Sequence, residues 1–267
     1  MKLAWLTDIH LNFLRDERAK IQELCAKVLE AAPDAVVISG DIGEAPIVER
    51  YLRTLQEGIR KPIYFVLGNH DFYAGSVAGV RDRMRALTEK TNHLRWLPAM
   101  GVVPLTAATA LVGHDSWADG RYGKGAASTL KMSDKDHIND FVSLAKEAYF
   151  ERIAALADEA AAHVRQMLMK AFESHARVLL VTHVPPFPQA CRADEGVARE
   201  EMLPHYSCKA MGDLLLDVMG SRPDRDVTVL CGHTHVEARA EILPNLRVWT
   251  GGAHYGAIRI QTAVDVA

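Results

Sequence analysis

The sequence lacks the features that mark membrane-spanning and non-specific nucleic-acid-binding proteins. Its apolar runs stay far below the roughly 20 residues that cross a bilayer. It has no run of Lys or Arg residues, and its formal net charge is −3 over 267 residues. A non-specific nucleic-acid binder needs a basic surface for its phosphate contacts. We therefore expect no membrane partner and no nucleic-acid-binding track.

The first residues and the cysteines indicate the cellular compartment. The start, MKLAWLTDIH, has one Lys and a very short apolar run, so it does not match a signal peptide. The four cysteines show no C-x-x-C spacing, which indicates neither a zinc finger nor a disulfide framework. Cys25 and Cys231 lie in apolar patterns and are predicted to be buried, whereas Cys191 and Cys208 flank a loop-like segment and are predicted to be partly exposed. A reducing, cytoplasmic location fits these features.

Short apolar runs predict a set of β-strands. They lie at residues 3–6, 35–38, 63–67, 178–181 and 227–230. Polar or Gly-containing residues follow each run, and helical patterns at 16–31 and 45–57 separate the first three. Short apolar strands that alternate with helices indicate an α/β fold with a buried, largely parallel sheet. In such folds, ligands bind outside the carboxyl ends of the strands.

The middle of the chain has a different pattern. Residues 126–184 contain no Gly or Pro. Apolar residues keep helical spacing across 134–174, which predicts one long helix or two joined helices. The preceding stretch, 117–132, contains three glycines and is predicted to be a mobile surface loop that includes Trp117. We interpret about 117–175 as a helical insertion.

Runs near the end of the sequence predict further strands. The runs 238–243, 246–249 and 257–262 are predicted to be antiparallel strands that close a second sheet, with a turn at Pro244-Asn245. No linker, repeat or low-complexity tract interrupts the chain. We therefore expect one domain over residues 1–267.

Side chains that can ligate metals follow the predicted strands. They form five motifs: Asp8-Ile9-His10, Gly40-Asp41, Gly68-Asn69-His70-Asp71, Thr182-His183 and Gly232-His233-Thr234-His235. Carboxylate, amide and imidazole donors suit Mn, Fe, Zn, Ni or Co rather than Cu(I) or an iron–sulfur cluster. Asp8 and His10 are two residues apart and point the same way on an extended segment, and His233 and His235 repeat this spacing.

The number of donors indicates two metal ions, divalent or trivalent. Two Asp, one Asn and four His exceed what one cation needs. Two cations that share a bridging carboxylate, roughly 3.5–4 Å apart, would use them all. The two carboxylates do not neutralise two divalent ions, so the site stays positive and would attract a phosphoryl group.

The five motifs, in this order and spacing, resemble those of the calcineurin-like metallophosphoesterase superfamily, over residues 1–75 and 177–260. The resemblance implies two mixed β-sheets packed as a sandwich and flanked by helices. It implies that Asp8, His10, Asp41 and His235 hold one metal, and that Asp41 (as a bridge), Asn69, His183 and His233 hold the other. His70 would then protonate the leaving oxygen or steady the transition state, oriented by Asp71.

The resemblance also implies a dinuclear phosphoesterase that cleaves a phosphodiester or phosphomonoester. A metal-bridging hydroxide would attack phosphorus in line, with His70 as general acid. A phosphoprotein phosphatase, a nuclease and a metal-poor protein-binding scaffold stay open as alternatives. The second motif continues as Ile42-Gly43-Glu44 and lacks the Arg-Gly of the phosphoprotein-phosphatase branch, and no basic track supports a nuclease. A scaffold need not keep His70.

Several of these residues also have simpler interpretations. Asn69 follows a glycine and matches a turn former, and Asp71 matches a helix N-cap for the next segment. His114 and His254 follow predicted strands, so we expect them to line the pocket and contact substrate. His205 lies beside Pro204 in a loop and has no assignment from the sequence. The sequence does not determine the oligomeric state.

Overall fold

Two mixed β-sheets with helices on their outer faces form the molecule, and the computed structural model describes residues 1–193 and 196–266. The strands are β1 (Lys2–Leu6), β2 (Ala35–Ser39), β3 (Ile63–Val66), β4 (Leu94–Trp96), β5 (Val103–Pro104), β6 (Thr109–Gly113), β7 (Arg177–Val181), β8 (Arg192–Ala193), β9 (Gly196–Val197), β10 (Asp226–Cys231), β11 (Ala238–Leu243), β12 (Leu246–Thr250) and β13 (Val264–Asp265). The helices are α1 (Glu17–Glu30), α2 (Val48–Ile59), α3 (Val77–Lys90), α4 (Leu97–Met100), α5 (Asp134–His137), α6 (Lys146–Ala171), α7 (Leu203–Tyr206) and α8 (Lys209–Gly220).

The order of the strands brings the functional loops together. The first sheet has the order β13-β1-β2-β3-β4, in which β13 is antiparallel to β1 and the others are parallel. The second sheet has the order β11-β12-β10-β7-β6-β5, with four parallel central strands and an antiparallel strand at each edge. The strands β8 and β9 form a separate antiparallel pair. The parallel strands of each sheet end at one edge, so the loops after β1, β2, β3, β7 and β10 can meet there.

Alternate side chains of β1 bury both faces of the first sheet. Leu3 and Trp5 pack in an inter-sheet core that also contains Leu179 of the second sheet. Ala4 and Leu6, which point the other way, belong to the larger core under the helices. Because both faces are covered, the strand sequence is a continuous apolar run, as expected for parallel strands in the centre of an α/β fold.

Helices α1 and α2 lie where the sequence pattern predicts helices. The insertion contains two further helices, α5 and α6. The predicted helices at 16–31 and 45–57 are confirmed as α1 and α2. In the insertion, α5 is one turn and α6 is 26 residues long. Helix α6 contacts α8 and β6 through an apolar stripe. Within the described part of the chain, none of the helices combines the length and the apolar character that crossing a membrane requires.

The strand predictions are confirmed with one exception. The five central runs correspond to β1, β2, β3, β7 and β10, and the runs at 238–243 and 246–249 to β11 and β12. The predicted strand at 257–262 is wrong, because single contacts hold this stretch instead of a ladder. The Gln261 N–H donates to Trp5 O, and the Gln261 side-chain amide bonds to both the N–H and the carbonyl of Gly252. The last strand is β13, and it pairs with the first sheet rather than the second.

Two further sequence-based expectations fail because of tertiary packing. Cys191 and Cys208 are fully buried, and the Cys191 thiol donates to Phe187 O and Tyr206 O. All four cysteines are free thiols. Trp117 is buried as well, since it packs against Phe72 and Phe141 rather than lying in an exposed loop.

The packing at Gly113, the last residue of β6, gives a testable prediction. A methyl group there would lie 2.5 Å from Leu97 Cδ1 and 3.0 Å from Val181 O. Gly113→Ala should therefore lower the free energy of unfolding by about 1–3 kcal/mol through overpacking. Gly220→Ala is the control, since a methyl group there meets nothing within 4 Å. It should stabilise by up to about 1 kcal/mol. Denaturant unfolding measures both, and equal effects would contradict the close packing.

Candidate metal centre

Sharp turns at the strand ends direct the predicted ligands to one point. Five of the seven have a left-handed backbone, with φ of 48° at Asp8, 37° at His10, 53° at Asp41, 71° at His233 and 59° at His235. This conformation costs a residue with a side chain roughly 1–2 kcal/mol. The Asp8 N–H donates to Gly40 O at 3.0 Å, and the His10 N–H donates to Asp41 O at 2.9 Å. These bonds join the loops after β1 and β2 and stabilise the turns.

Two glycines let the backbone lie directly against the carboxylates. A Cβ atom at Gly68 would collide with the Asp41 carboxylate. One at Gly232 would collide with the Asp8 carboxylate and with Thr7 Oγ1. The loops after β3 and β10 therefore close over the two acids only because these positions lack side chains.

The first ligand group joins three loops. The donor atoms of Asp8, His10, Asp41 and His235 all lie within 4.8 Å of one another. His10 Nε2 is 3.1 Å from His235 Nε2, and His235 Nε2 is 3.3 Å from Asp8 Oδ1. Two imidazole nitrogens at this distance repel each other as acceptors unless a proton or a cation lies between them. The donor set fits a metal ion.

The second ligand group lies beside the first. Asn69 Oδ1 is 3.1 Å from His183 Nε2 and 3.0 Å from His233 Nδ1, and the two nitrogens are 3.2 Å apart. Separations of about 3 Å match neighbouring ligands around a cation with bonds of about 2.1 Å. Asp41 Oδ2 lies 3.5 Å from His183 Nε2 and 3.5 Å from His10 Nε2. Asp41 therefore lies between the two groups, in the place of a bridging ligand.

Backbone carbonyls fix which nitrogen of each ring faces the centre. A carbonyl oxygen can only accept, so His183 Nδ1–H donates to Ser39 O at 2.9 Å and leaves Nε2 free to ligate. In the same way, His233 Nε2–H donates to His205 O at 2.8 Å and leaves Nδ1 free. Such partners hold metal-binding rings in one orientation. The rings are therefore positioned for ligation by the fold itself.

A residue of the insertion orients the amide of Asn69. The Asn69 Nδ2 group donates to Asp134 Oδ1 at 2.7 Å, so Asn69 Oδ1 faces the two histidines. Tyr73 Oη donates to the same oxygen at 2.8 Å. Asp134 is not predicted from the sequence, because a single Asp at the start of a helical pattern gives no signal for contact with a residue 65 positions away. The insertion thus contributes to the metal centre.

Burial and charge set the protonation of the imidazoles. Burial lowers the pKa of His10 to about 4, although Asp41 and Asp8 oppose this change. Burial, followed by the neighbouring His183, lowers the pKa of His233 to about 4. Both rings are therefore neutral at pH 7, the form that binds metals. Burial also opposes a charge on His183, but the Asp41 carboxylate outweighs it and raises the pKa of His183 to about 10. A metal ion that binds His183 would therefore compete with a proton for the ring.

The sequence of the chain matches the family model described as "Calcineurin-like phosphoesterase" over residues 1–237. The chain belongs to this family. The match includes all seven predicted ligands, and it confirms the resemblance that the five motifs indicated.

A protein from Danio rerio is similar in sequence to part of this phosphoesterase. The phosphoesterase is 39% identical over 98 residues to that protein, which is named "Transmembrane protein with metallophosphoesterase domain". That match covers 35% of this chain and 22% of the relative, so the phosphoesterase matches about a fifth of the relative's length.

Solved structures with the same fold cover nearly the whole chain. Phosphopantetheinyl hydrolase from Mycobacterium tuberculosis superposes with a TM-score of 0.67 at 14% identity, over 96% of this chain and 90% of that one. A dimetal phosphatase from Danio rerio superposes with a TM-score of 0.61 at 15% identity, over 94% and 87%. At such identities the similarity is one of fold, and it confirms the predicted sandwich of two mixed sheets flanked by helices.

His70 lies beside the first ligand group of the phosphoesterase. Its backbone N–H donates to Asp41 Oδ1 at 2.9 Å. Its ring stacks on Tyr73, with centroids 4.3 Å apart, and meets the His10 ring edge-on at 4.7 Å. In the described part of the chain, His70 Nδ1 is buried without a hydrogen-bond partner. Ring contacts rather than a carboxylate therefore orient His70.

Asp71 has a different role from the one expected. Its Oδ1 accepts from the N–H groups of Ile42 and Gly43, at 2.9 and 2.8 Å, and its Oδ2 accepts from the Gly68 N–H at 2.8 Å. Burial and the charge of Asp41 raise the pKa of Asp71 to about 8, although its hydrogen bonds to backbone N–H groups oppose this. The expectation that Asp71 orients His70 is wrong, because its oxygens tie the loop after β2 to the loop after β3.

The N-cap interpretation of Asp71 is also wrong. Helix α3 begins after Ser76, whose side chain accepts from the Gly79 N–H at 3.2 Å.

The expectation for His114 is wrong, whereas His254 does line a groove. His114 is buried, its Nδ1 accepts from the Ser116 N–H at 3.1 Å, and its ring lies 5.1 Å from that of His163 on α6. His114 therefore faces the insertion helix instead of the centre. His254 is exposed and lines an open groove of about 280 Å³ together with His235.

Tyr255 is a groove residue that the sequence pattern does not predict. Its ring lies 4.6 Å from that of His10 and 5.0 Å from that of His235, and it is 53% exposed. The half-exposed Phe13 lies 4.8 Å from it. The two rings form an aromatic wall at the first ligand group. A Tyr after a glycine-rich turn gives no indication in the sequence that it reaches a site built by other loops.

The bridging position of Asp41 predicts the effect of removing its charge. Asp41→Asn keeps the left-handed backbone, which Asn tolerates, but leaves each ligand group one carboxylate short. We expect metal content, measured by elemental analysis, to fall from two ions per chain and hydrolysis to be abolished. The control is Asp213→Asn, an exposed acid paired with Lys209 on α8. Two bound ions with normal turnover in Asp41→Asn would contradict the shared carboxylate.

The contact between Asp134 and Asn69 predicts a selective loss. Asp134→Ala removes the acceptor that orients the amide, so affinity at the second ligand group should fall about 10–100-fold. The first group should keep its ion, because Asp134 contacts none of its side chains among the hydrogen bonds of the described residues. Asp136→Ala, an exposed acid on the same helical turn, is the matched control for metal content. Calorimetric titration with Mn²⁺ or Zn²⁺ separates the two sites, and two unchanged affinities would contradict the role of Asp134.

Proposed function

We propose that this phosphoesterase holds two metal ions and hydrolyses a phosphodiester or a phosphomonoester. The observation that carries the proposal is the position of Asp41 Oδ2, 3.5 Å from a nitrogen of each ligand group. Membership of the family supports the reaction class. A neighbour in fold is named a dimetal phosphatase, which agrees with two ions. Buried, converging donors favour an enzyme over a metal-poor scaffold.

The seven predicted ligands would hold ions of Mn, Fe, Zn, Ni or Co. The first ion would bind Asp8, His10, Asp41 and His235, and the second Asp41, Asn69, His183 and His233. When bound, two such cations polarise a phosphoryl group and make a water molecule acidic enough to act as a nucleophile. The protein fixes the donor atoms before binding, because backbone carbonyls and Asp134 already set the orientations of His183, His233 and Asn69.

His70 is the proposed proton donor to the leaving oxygen. Its backbone N–H is bonded to Asp41, and stacking on Tyr73 holds its ring beside the first ligand group. These contacts give an ionisable ring next to the reaction centre that is not needed as a ligand. A positioned acid is worth roughly 10²–10⁴-fold in rate.

The groove beside His235 is the proposed entrance for the ester. His254 and Tyr255 line it, so we propose that they contact the substrate. Tyr255 and Phe13 offer an aromatic surface at the first ligand group. We also propose a cytoplasmic location, which the four free, buried thiols support.

The proposed role of His70 makes a prediction about leaving groups. His70→Ala should keep both ions, because all seven ligands survive, and should slow cleavage by roughly 10²–10⁴-fold for alkyl leaving groups. The loss should shrink for nitrophenolate, because an acidic leaving group needs little protonation. Rates across leaving groups of graded pKa measure the effect. The control is His93→Ala, because His93 lies just before β4, at the end of the sheet away from the predicted ligands.

Two results would contradict this role. A loss of equal size for all leaving groups would mean that His70 mainly steadies the phosphoryl oxygens. A loss of metal would mean that His70 is a ligand.

A further inference from the structure

A cavity of about 320 Å³ lies in the insertion, between the segment 128–136 and the start of α6. This volume is in the range of small-molecule sites, about 300–1,000 Å³. Its apolar lining consists of Leu130, Met132, Tyr149 and Phe150. Its charged lining consists of Lys131, Lys135, Lys146 and Asp136. The cavity thus combines an apolar surface with an excess of positive charge, in a chain whose formal net charge is −3.

The cavity adjoins the metal centre. A second, narrow cavity of about 10 Å³ lies against Asn69, His183 and His233, which are the second ligand group. The side chains that line both cavities are Met132, Tyr149 and His205. These side chains form a wall shared by the insertion cavity and the space beside the predicted ligands. A substrate whose phosphate lies at the candidate metal centre would reach the insertion cavity by displacing these side chains.

His205 is an unpartnered polar group at this junction. Its side chain is buried, with 4% of its surface exposed. Among the described residues, neither ring nitrogen has a hydrogen-bond partner. Buried polar atoms in native proteins are normally paired, and an exception indicates a missing ligand or water. The His205 carbonyl accepts from His233 Nε2–H at 2.8 Å, so the backbone of His205 is tied to a predicted metal ligand.

The lysines of the cavity are available for a ligand. In the described part of the chain, the ammonium groups of Lys131 and Lys135 have no hydrogen-bond or ion-pair partner, whereas Lys146 Nζ donates to Ser128 O at 2.8 Å. By contrast, Lys124 in the preceding loop is paired with Glu201. Two free ammonium groups at the mouth of an apolar cavity favour an anionic ligand.

We propose that this cavity is a subsite for the part of the substrate beyond the scissile phosphate. The ligand chemistry is an anionic group, a carboxylate or a second phosphate, joined to the scissile phosphate by an apolar segment. Lys131 and Lys135 bind the anion, the apolar side chains contact the segment, and His205 bonds to a polar atom along it. This inference rests on the proposed function and assigns a substrate class to it.

The test compares three p-nitrophenyl phosphodiesters that share the scissile bond and leaving group. Their alkyl tails end in a methyl group, a carboxylate or a phosphonate, the last a stable stand-in for phosphate. For the metal-loaded enzyme, kcat/KM should be roughly ten-fold higher with at least one charged tail than with the neutral tail. The better charged tail identifies the anion. In Lys131→Gln/Lys135→Gln, this ratio should fall toward one.

The control variant also loses two positive charges, but at the end of the first sheet where β3 and β4 begin. Lys61→Gln/Lys90→Gln replaces two lysines that precede β3 and β4, and its ratio should match that of the wild type. A wild-type ratio near one would overturn the subsite. An unchanged ratio in Lys131→Gln/Lys135→Gln would also overturn it, while leaving the proposed function intact if the neutral ester is cleaved.

A binding measurement keeps the two proposals separate. Absence of cleavage of all three esters would contradict the phosphodiester part of the proposed function, not the subsite. Calorimetry with butylphosphonate, 4-phosphonobutyrate and butane-1,4-diphosphonate then decides the subsite. Tighter binding of at least one of the two compounds with a second anion, lost in the lysine variant and kept in the control, supports it. Equal binding of all three compounds overturns it.

Discussion

The carboxylate of Asp41 lies between imidazole rings that come from opposite sheets, His10 from the first and His183 from the second. Its Oδ2 is 3.5 Å from a nitrogen of each, and its Oδ1 accepts from the His70 N–H. This one side chain therefore links the two layers at the edge where their parallel strands end. The inter-sheet core that contains Trp5 sets the distance between the layers, so the positions of the predicted ligands depend on how the sheets pack.

The candidate metal centre contains features that destabilise the folded state, and the rest of the fold offsets them. Five of the seven predicted ligands have left-handed backbone, and two carboxylates are buried close together. Hydrogen bonds reduce part of this cost: Asp8 accepts from the His233 N–H and from Thr7 Oγ1, and Asp71 accepts from three backbone N–H groups. Strain of this kind persists where the surrounding structure determines it, and it is concentrated at functional sites. The apolar core on both faces of the sheets holds the strained turns in place.

The sequence predicted the parts of the site that local pattern controls. Strand ends and spacings of two residues depend on a few neighbouring residues, so the fold class, most of the strands and the convergence of the predicted ligands followed from them. Contacts between distant segments did not. Asp134 reaches Asn69 from the insertion, Tyr255 reaches His10 from the other end of the chain, and Asp71 binds backbone groups instead of His70. Each depends on how separate elements pack, which no local pattern encodes.

The bond between Asp134 and Asn69 has a consequence for how this chain can diverge from its relatives. An insertion that only borders a site can be exchanged between homologues like a loop on a scaffold. Here the inserted segment carries an acceptor that sets the amide of a proposed ligand. A chimera with a foreign insertion would have to reproduce that acceptor, or lose metal affinity along with the original specificity. The insertion and the sandwich are therefore constrained to change together.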